Sequence, residues 1–91
     1  MEWKEIEPEQ KNWKKQWNLT ARYGKHIVGS IILDNDGEGE FSSVIDGVVE
    51  FMVASDLEEA KKEFYCRLQL HLENEIDYYK ALLYMLDEIN N

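Results

Sequence analysis

The fold of this 91-residue chain is decided by its C-terminal stretch, where residues 56–89 read DLEEAKKEFYCRLQLHLENEIDYYKALLYMLDEI. No glycine or proline occurs after Gly47, and apolar side chains recur every three or four residues, which is the period of a helix with one apolar face. Ser55 or Asp56 is a favourable N-cap, and the two glutamates that follow suit the positive end of the helix dipole. The sequence therefore predicts one long helix over residues 56–89.

The stretch before this helix, residues 17–54, has the two-residue period of β-strands. Short connections that contain glycine divide it, and Asp46-Gly47 is of the hairpin type. Strands joined by such short turns form an antiparallel meander. The predicted strands cover residues 17–23, 27–33, 40–45 and 48–53.

The N-terminal residues predict a short helix over 8–16, because Pro8 suits a first helical position and Trp13 and Trp17 would share a face. No Pro/Gly/Ser-rich linker interrupts the chain, so residues 1–91 read as a single domain. The predicted fold class is α+β: an antiparallel three- to four-stranded β-meander followed by one long C-terminal α-helix.

The predicted helix carries a seam of residues that step by three and four, the spacing of a coiled coil. A helix of this length spans roughly 50 Å, whereas a strand of five or six residues spans about 17–20 Å. The apolar face beyond the sheet would need a cover, either from a second copy, from a fold-back near residues 73–75, or from different packing of the helix end. We expect a homodimer. After Tyr65, the seam consists of Leu68, Leu72, Glu75, Tyr79, Leu82, Leu86 and Ile89.

The charge is strongly negative, with a formal net charge of −9, and it is uneven along the chain. Residues 34–54 contain six acids and no base. Such a surface repels phosphate, so we expect no direct binding of nucleic acid and instead a protein partner. The single cysteine, the charged N-terminus and the short apolar runs predict a cytoplasmic protein without a membrane segment. The predicted partner surface consists of Asp34, Asp36, Glu38, Glu40, Asp46 and Glu50.

Candidate chemical sites are few. Residues 34–41 follow the first eight positions of an EF-hand calcium loop, but Ile45 stands where the bidentate glutamate belongs. His26 and His71 show no Cys or acidic partners at a spacing that would specify zinc, and Cys66 has no activating neighbour. We therefore expect no cofactor, no metal and no enzymatic activity, with calcium binding kept as a third functional hypothesis.

Two resemblances bear on function. Residues 19–72 have strands followed by Ser55-Asp56-Leu57-Glu58-Glu59-Ala60 at a helix start, and this pattern is similar to a HicB-type antitoxin domain. That resemblance implies neutralisation of a small cognate toxin. The family's Pro-Asp-Leu-Pro-Gly stretch and its basic DNA-binding module are absent from this sequence.

The second resemblance concerns size, charge and architecture. A small acidic chain with a sheet, one long helix and no catalytic motif resembles phage accessory and anti-defence proteins, including anti-CRISPR proteins. It implies stoichiometric inhibition of a host defence protein, in some cases by acidic mimicry of nucleic acid. The sequence thus favours a non-enzymatic inhibitor first and a HicB-like antitoxin second.

Overall fold

A computed structural model of the chain describes residues 1–21, 26–35 and 40–90. The described strands form one antiparallel sheet in which each strand pairs with its neighbour in the sequence. One long helix, α1, follows the sheet, which confirms the predicted α+β class. The elements are β1 (Glu2–Ile6), β2 (Trp13–Thr20), β3 (Ile27–Asp34), β4 (Phe41–Ile45), β5 (Val48–Phe51) and α1 (Leu57–Asn90).

The prediction of a short helix over residues 8–16 was wrong. β1 precedes this stretch, and β2 already begins at Trp13. β1 adds a fifth strand to the predicted meander, and within it Trp3 packs edge-on against Phe64 of α1 at 5.0 Å between ring centroids. The two residues in this contact are 61 positions apart, so no short-range pattern could reveal it. Long-range contacts of this kind outweigh a weak local preference for helix.

The hairpin between β4 and β5 was predicted correctly. Asp46 and Gly47 both have positive φ, 53° and 78°, as a two-residue turn between paired Ile45 and Val48 requires. Residues 22–25 and 36–39, which include the predicted Gly24-Lys25 turn and most of the Asp34–Gly39 turn, lie outside the described part of the chain.

The core lies between one face of the sheet and the first half of α1. From α1 come Ala60, Phe64 and Leu68, which are four residues apart and therefore share the one apolar face predicted for this helix. Helix and sheet approach closely where Phe64 covers Gly29 of β3, and Phe64 is fully buried there. The sheet contributes the buried side chains of Trp17, Leu19, Ile31 and Phe41.

The opposite face of the sheet carries a row of buried polar side chains that the sequence analysis did not predict. Asn18 Oδ1 accepts hydrogen bonds from Gln16 Nε2 at 2.9 Å and from Ser30 Oγ at 2.6 Å. The Glu9 amide in the β1–β2 connection donates to Gln16 Oε1 at 2.9 Å. These bonds satisfy groups that would otherwise be costly to bury.

α1 begins with a complete cap. The Glu59 amide donates to Asp56 Oδ1 at 2.9 Å, while Glu59 Oε2 accepts from the Ser55 amide at 3.0 Å and the Ser55 hydroxyl at 2.8 Å. The helix then runs unbroken for 34 residues, or about 51 Å at 1.5 Å per residue. The longest dimension of the molecule is 56 Å, so α1 does not fold back near residues 73–75. The fold-back alternative is wrong.

Candidate protein-binding surface

Arg67 lies in the last turns of α1 that pack on the sheet, and it connects the helix to the edge strand β5. Its guanidinium donates to the Phe51 carbonyl oxygen at 2.7 Å and pairs with Glu63 at 3.1 Å and with Glu50 at 3.4 Å. It also donates to Ser43 Oγ at 3.2 Å. Because this fork joins two strands and the helix itself, the direction in which α1 leaves the sheet is well defined.

On the opposite side of the helix, an aromatic group fixes α1 to β1. Trp3 Nε1 donates to the Tyr65 hydroxyl at 2.7 Å, and the two rings lie 6.0 Å apart. The first half of α1 is therefore held by core packing and by polar contacts at both margins.

Leu68 is the last buried residue of α1, and the distal half of the helix, residues 69–90, projects beyond the sheet. Leu82 is half-buried, whereas most large apolar side chains of this half are exposed by 46% or more. An exposed apolar surface of this extent marks an interaction site. The exposed residues are Leu70, Leu72, Ile76, Tyr78, Tyr79, Leu83, Tyr84, Met85, Leu86 and Ile89.

The exposed seam continues the face that packs on the sheet. Eighteen residues make five full turns at 3.6 residues per turn, so side chains that far apart point in the same direction. Phe64 is thus aligned with Leu82, and Leu68 with Leu86. The face that fills the core in the first half of α1 has no equivalent cover from the described residues in the distal half.

One part of the predicted seam packs on the sheet, and the other part lies beyond the end of the sheet. Leu68 is 7% exposed and belongs to the core, so it is already covered within one chain. Glu75, the polar member, contacts His71. The remaining predicted positions, Leu72, Tyr79, Leu82, Leu86 and Ile89, all lie on the distal half.

The predicted acidic surface does not form one continuous patch among the described residues. Glu40 precedes β4 and Asp46 follows it, so they lie at opposite ends of a strand whose residues rise about 3.4 Å each. Asp34 ends β3, near Glu40. Glu50 faces α1 and pairs with Arg67. Asp36 and Glu38 lie outside the described residues, as do all of positions 36–39 of the candidate calcium loop.

A cluster of possible metal ligands, missed in the sequence analysis, lies where α1 leaves the sheet. His71 Nε2 is 3.1 Å from Glu75 Oε1 and 3.9 Å from Asp46 Oδ2. One ligand atom from each of the three residues lies within 4.8 Å of the other two. The statement that His71 has no acidic partner at ligand spacing was wrong, because His71 and Glu75 are one helical turn apart. Only the fold brings Asp46 to them.

Cys66 is exposed and forms no disulfide in the described part of the chain. β5 is one of the two edge strands of the described sheet, and its four residues are all exposed, with Val49 and Phe51 more than half exposed. Within residues 1–21, 26–35 and 40–90, no helix is both long and apolar enough to cross a membrane.

The comparisons with known proteins provide no relative, so the fold and the surface are interpreted from their own geometry. No protein-family model matches the sequence, and no curated protein or solved structure is significantly similar. The resemblances to HicB-type antitoxins and to anti-defence proteins therefore remain predictions from the sequence.

Proposed function

We propose that this chain is a non-enzymatic binding protein that assembles as a homodimer through the distal half of α1. The observation that carries the proposal is the apolar seam of Leu72, Tyr79, Leu82, Leu86 and Ile89, exposed except at the half-buried Leu82, on a helix that projects beyond its own core. Helix-to-helix packing with three–four spacing is the common way to cover such a seam.

The direction of pairing follows from the side of α1 on which the sheet lies. A parallel partner aligned on the same seam would bring its own sheet into the space that this sheet occupies, since Leu68 and Leu86 point the same way. An antiparallel partner avoids this collision because each distal half then pairs with the other, and the two sheets lie at opposite ends. Overlap from Leu72 to Ile89 is about 26 Å long at 1.5 Å per residue.

The dimer would display two acidic sheets to a host or cognate protein partner, consistent with a stoichiometric inhibitor of a host defence protein. The net charge of −9 supports a basic target surface. Asp34 and Glu40 lie at one end of the sheet and Asp46 at the other, so acidic mimicry would have to use one of these ends. If so, binding should weaken with salt, and Lys substitutions at one end should weaken it more than those at the other.

Sedimentation equilibrium of matched leucine variants tests the assembly. Leu86 and Leu70 are 54% and 60% exposed in the single chain, so glutamate at either position leaves the core intact. Only Leu86 lies on the seam, because Leu70 lies on the opposite side of the helix at 100° per residue. We expect a dimer for the wild type and for Leu70→Glu, and a monomer for Leu86→Glu.

A monomeric wild type at high protein concentration would contradict the proposal, and so would a Leu86→Glu variant that remains dimeric. Salt supplies a second check. The seam is apolar apart from Glu75, and most other charges of the distal half are acidic, so added salt should leave the dimer intact or strengthen it. The direction of pairing can be read from spin labels placed near the helix tip, whose separation is large only in an antiparallel dimer.

A further inference from the structure

We infer that Asp46, His71 and Glu75 form a binding site for a divalent transition-metal ion of the zinc type, at the junction between the sheet and the distal half of α1. The three side chains supply one imidazole nitrogen and two carboxylate oxygens, a donor set that zinc accepts. Neither the proposed dimer nor the acidic surface requires this site, and all three ligands come from one chain.

The spacing of the donor atoms fits a shared ion. Bonds of about 2.0–2.1 Å in tetrahedral directions place two ligand atoms roughly 3.4 Å apart. The distances from His71 Nε2 to the two carboxylates, 3.1 and 3.9 Å, lie on either side of that value. Both carboxylates approach the same nitrogen, so an ion between them would contact all three groups with small side-chain movements.

The backbone of the helix and of the β4–β5 turn holds all three candidate ligands in place. His71 and Glu75 lie at positions i and i+4 of a continuous helix, so their side chains share one face. Asp46 lies in the tight β4–β5 turn with positive φ, and Arg67 ties α1 to β5 one turn before His71. The position of the ligands is therefore set by the helix–sheet junction rather than by a long loop.

The surroundings leave room for further ligands. The same depression is lined by His26, Val28 and Leu72 as well as by the three candidate ligands. With three protein ligands, a tetrahedral ion retains one open position, which a water molecule can fill. The alternative is a simple ion pair of a protonated His71 with its acidic neighbours, and that alternative predicts no uptake of metal.

Titration of the full chain with Zn²⁺ by calorimetry, with Co²⁺ absorption as a spectroscopic probe, tests the inference. We expect one ion per chain, a tetrahedral Co²⁺ spectrum that Zn²⁺ abolishes, and at least about tenfold weaker binding for His71→Gln, Glu75→Gln and Asp46→Asn, because loss of even an indirect partner of a metal costs 10–100-fold. Glu73→Gln is the matched control, since Glu73 is an exposed acid on the opposite face that bonds Gln69. This control should bind as the wild type does.

The inference is overturned if the wild type takes up no Zn²⁺, or if His71→Gln and Glu73→Gln bind it equally, which would indicate diffuse attraction to an acidic surface. Sedimentation and circular dichroism of each variant separate this result from a failure of assembly or folding. A variant that stays folded, keeps the assembly state of the wild type and loses the Co²⁺ spectrum supports the site, whether the wild type is a dimer or a monomer.

Discussion

Replacement of Gly29 by alanine tests how tightly α1 is seated on the sheet. An added Cβ would lie 2.6 Å from Phe64 Cζ and 2.9 Å from the Val44 carbonyl oxygen. Phe64 is fully buried and cannot swing away, and the carbonyl belongs to the sheet backbone. Overpacking of this kind costs about 1–3 kcal/mol, which for a domain of this size lowers Tm by at least about 4 °C.

Urea unfolding monitored by circular dichroism measures the loss, and a double-mutant cycle identifies its cause. Phe64→Leu shortens the ring that meets the new methyl group and is destabilising on its own, because it leaves a cavity. In the Phe64→Leu background, Gly29→Ala should cost less than in the wild type, with an interaction energy of roughly 0.5–3 kcal/mol.

The reasoning is refuted if Gly29→Ala changes the free energy of unfolding by less than about 0.5 kcal/mol, the range of ordinary surface substitutions. It is also refuted if the two substitutions are additive, because the cost would then not come from contact with Phe64.

Three further predictions concern the ends and margins of the helix. Asp56→Ala should lower the free energy of unfolding by about 0.5–2 kcal/mol through loss of the N-cap, whereas Asp77→Ala in mid-helix should not, as urea titration would show. The Ser55 amide and hydroxyl donate hydrogen bonds to Glu59 and hold the pKa of its carboxyl below the usual value, so the stability that these bonds contribute is present above the unfolded-state pKa and is lost as pH falls through the folded-state pKa. Ser55→Ala should raise that pKa in an NMR titration, and an unchanged pKa would contradict the assignment. Arg67→Met should lower the free energy of unfolding by about 1 kcal/mol, because a partly exposed guanidinium gains little from ion pairs and its shortest hydrogen bond is the one to the Phe51 carbonyl oxygen; thermal unfolding tests this.

Sequence periodicity predicted the strands and the helix well where the pattern was long. The helical period predicted one apolar face, on which Ala60, Phe64 and Leu68 pack in the core, and Asp46-Gly47 predicted the turn between β4 and β5. Periodicity failed at the N-terminus, where Pro8 reads as a helix start although it lies in the connection between β1 and β2, two strands that pair with each other. Short segments follow their tertiary contacts, because their local preferences amount to only a fraction of a kcal/mol per residue.

The candidate sites were likewise predictable from the sequence only where the residues lie close together in one element. His71 and Glu75 could have been paired from their spacing of four in a predicted helix. Asp46 could not, because its neighbours in the sequence carry no sign of where the turn between β4 and β5 meets α1. The acidic residues 34–50 read as one surface in the sequence, but the extended geometry of β4 separates Glu40 from Asp46, and Arg67 engages Glu50.

The sequence by itself determined that this protein has a helix too long for its sheet, because unbroken periodicity and the absence of glycine and proline after Gly47 are local properties. It also determined the exposed seam, since side-chain direction along a helix repeats every 3.6 residues. Only the tertiary structure decided that the sheet covers α1 no further than Leu68, and which face of the sheet buries polar side chains. Those outcomes depend on contacts between residues far apart in the chain, such as Trp3 with Phe64 and Asp46 with His71, and such contacts exist only once the sheet and the helix have packed.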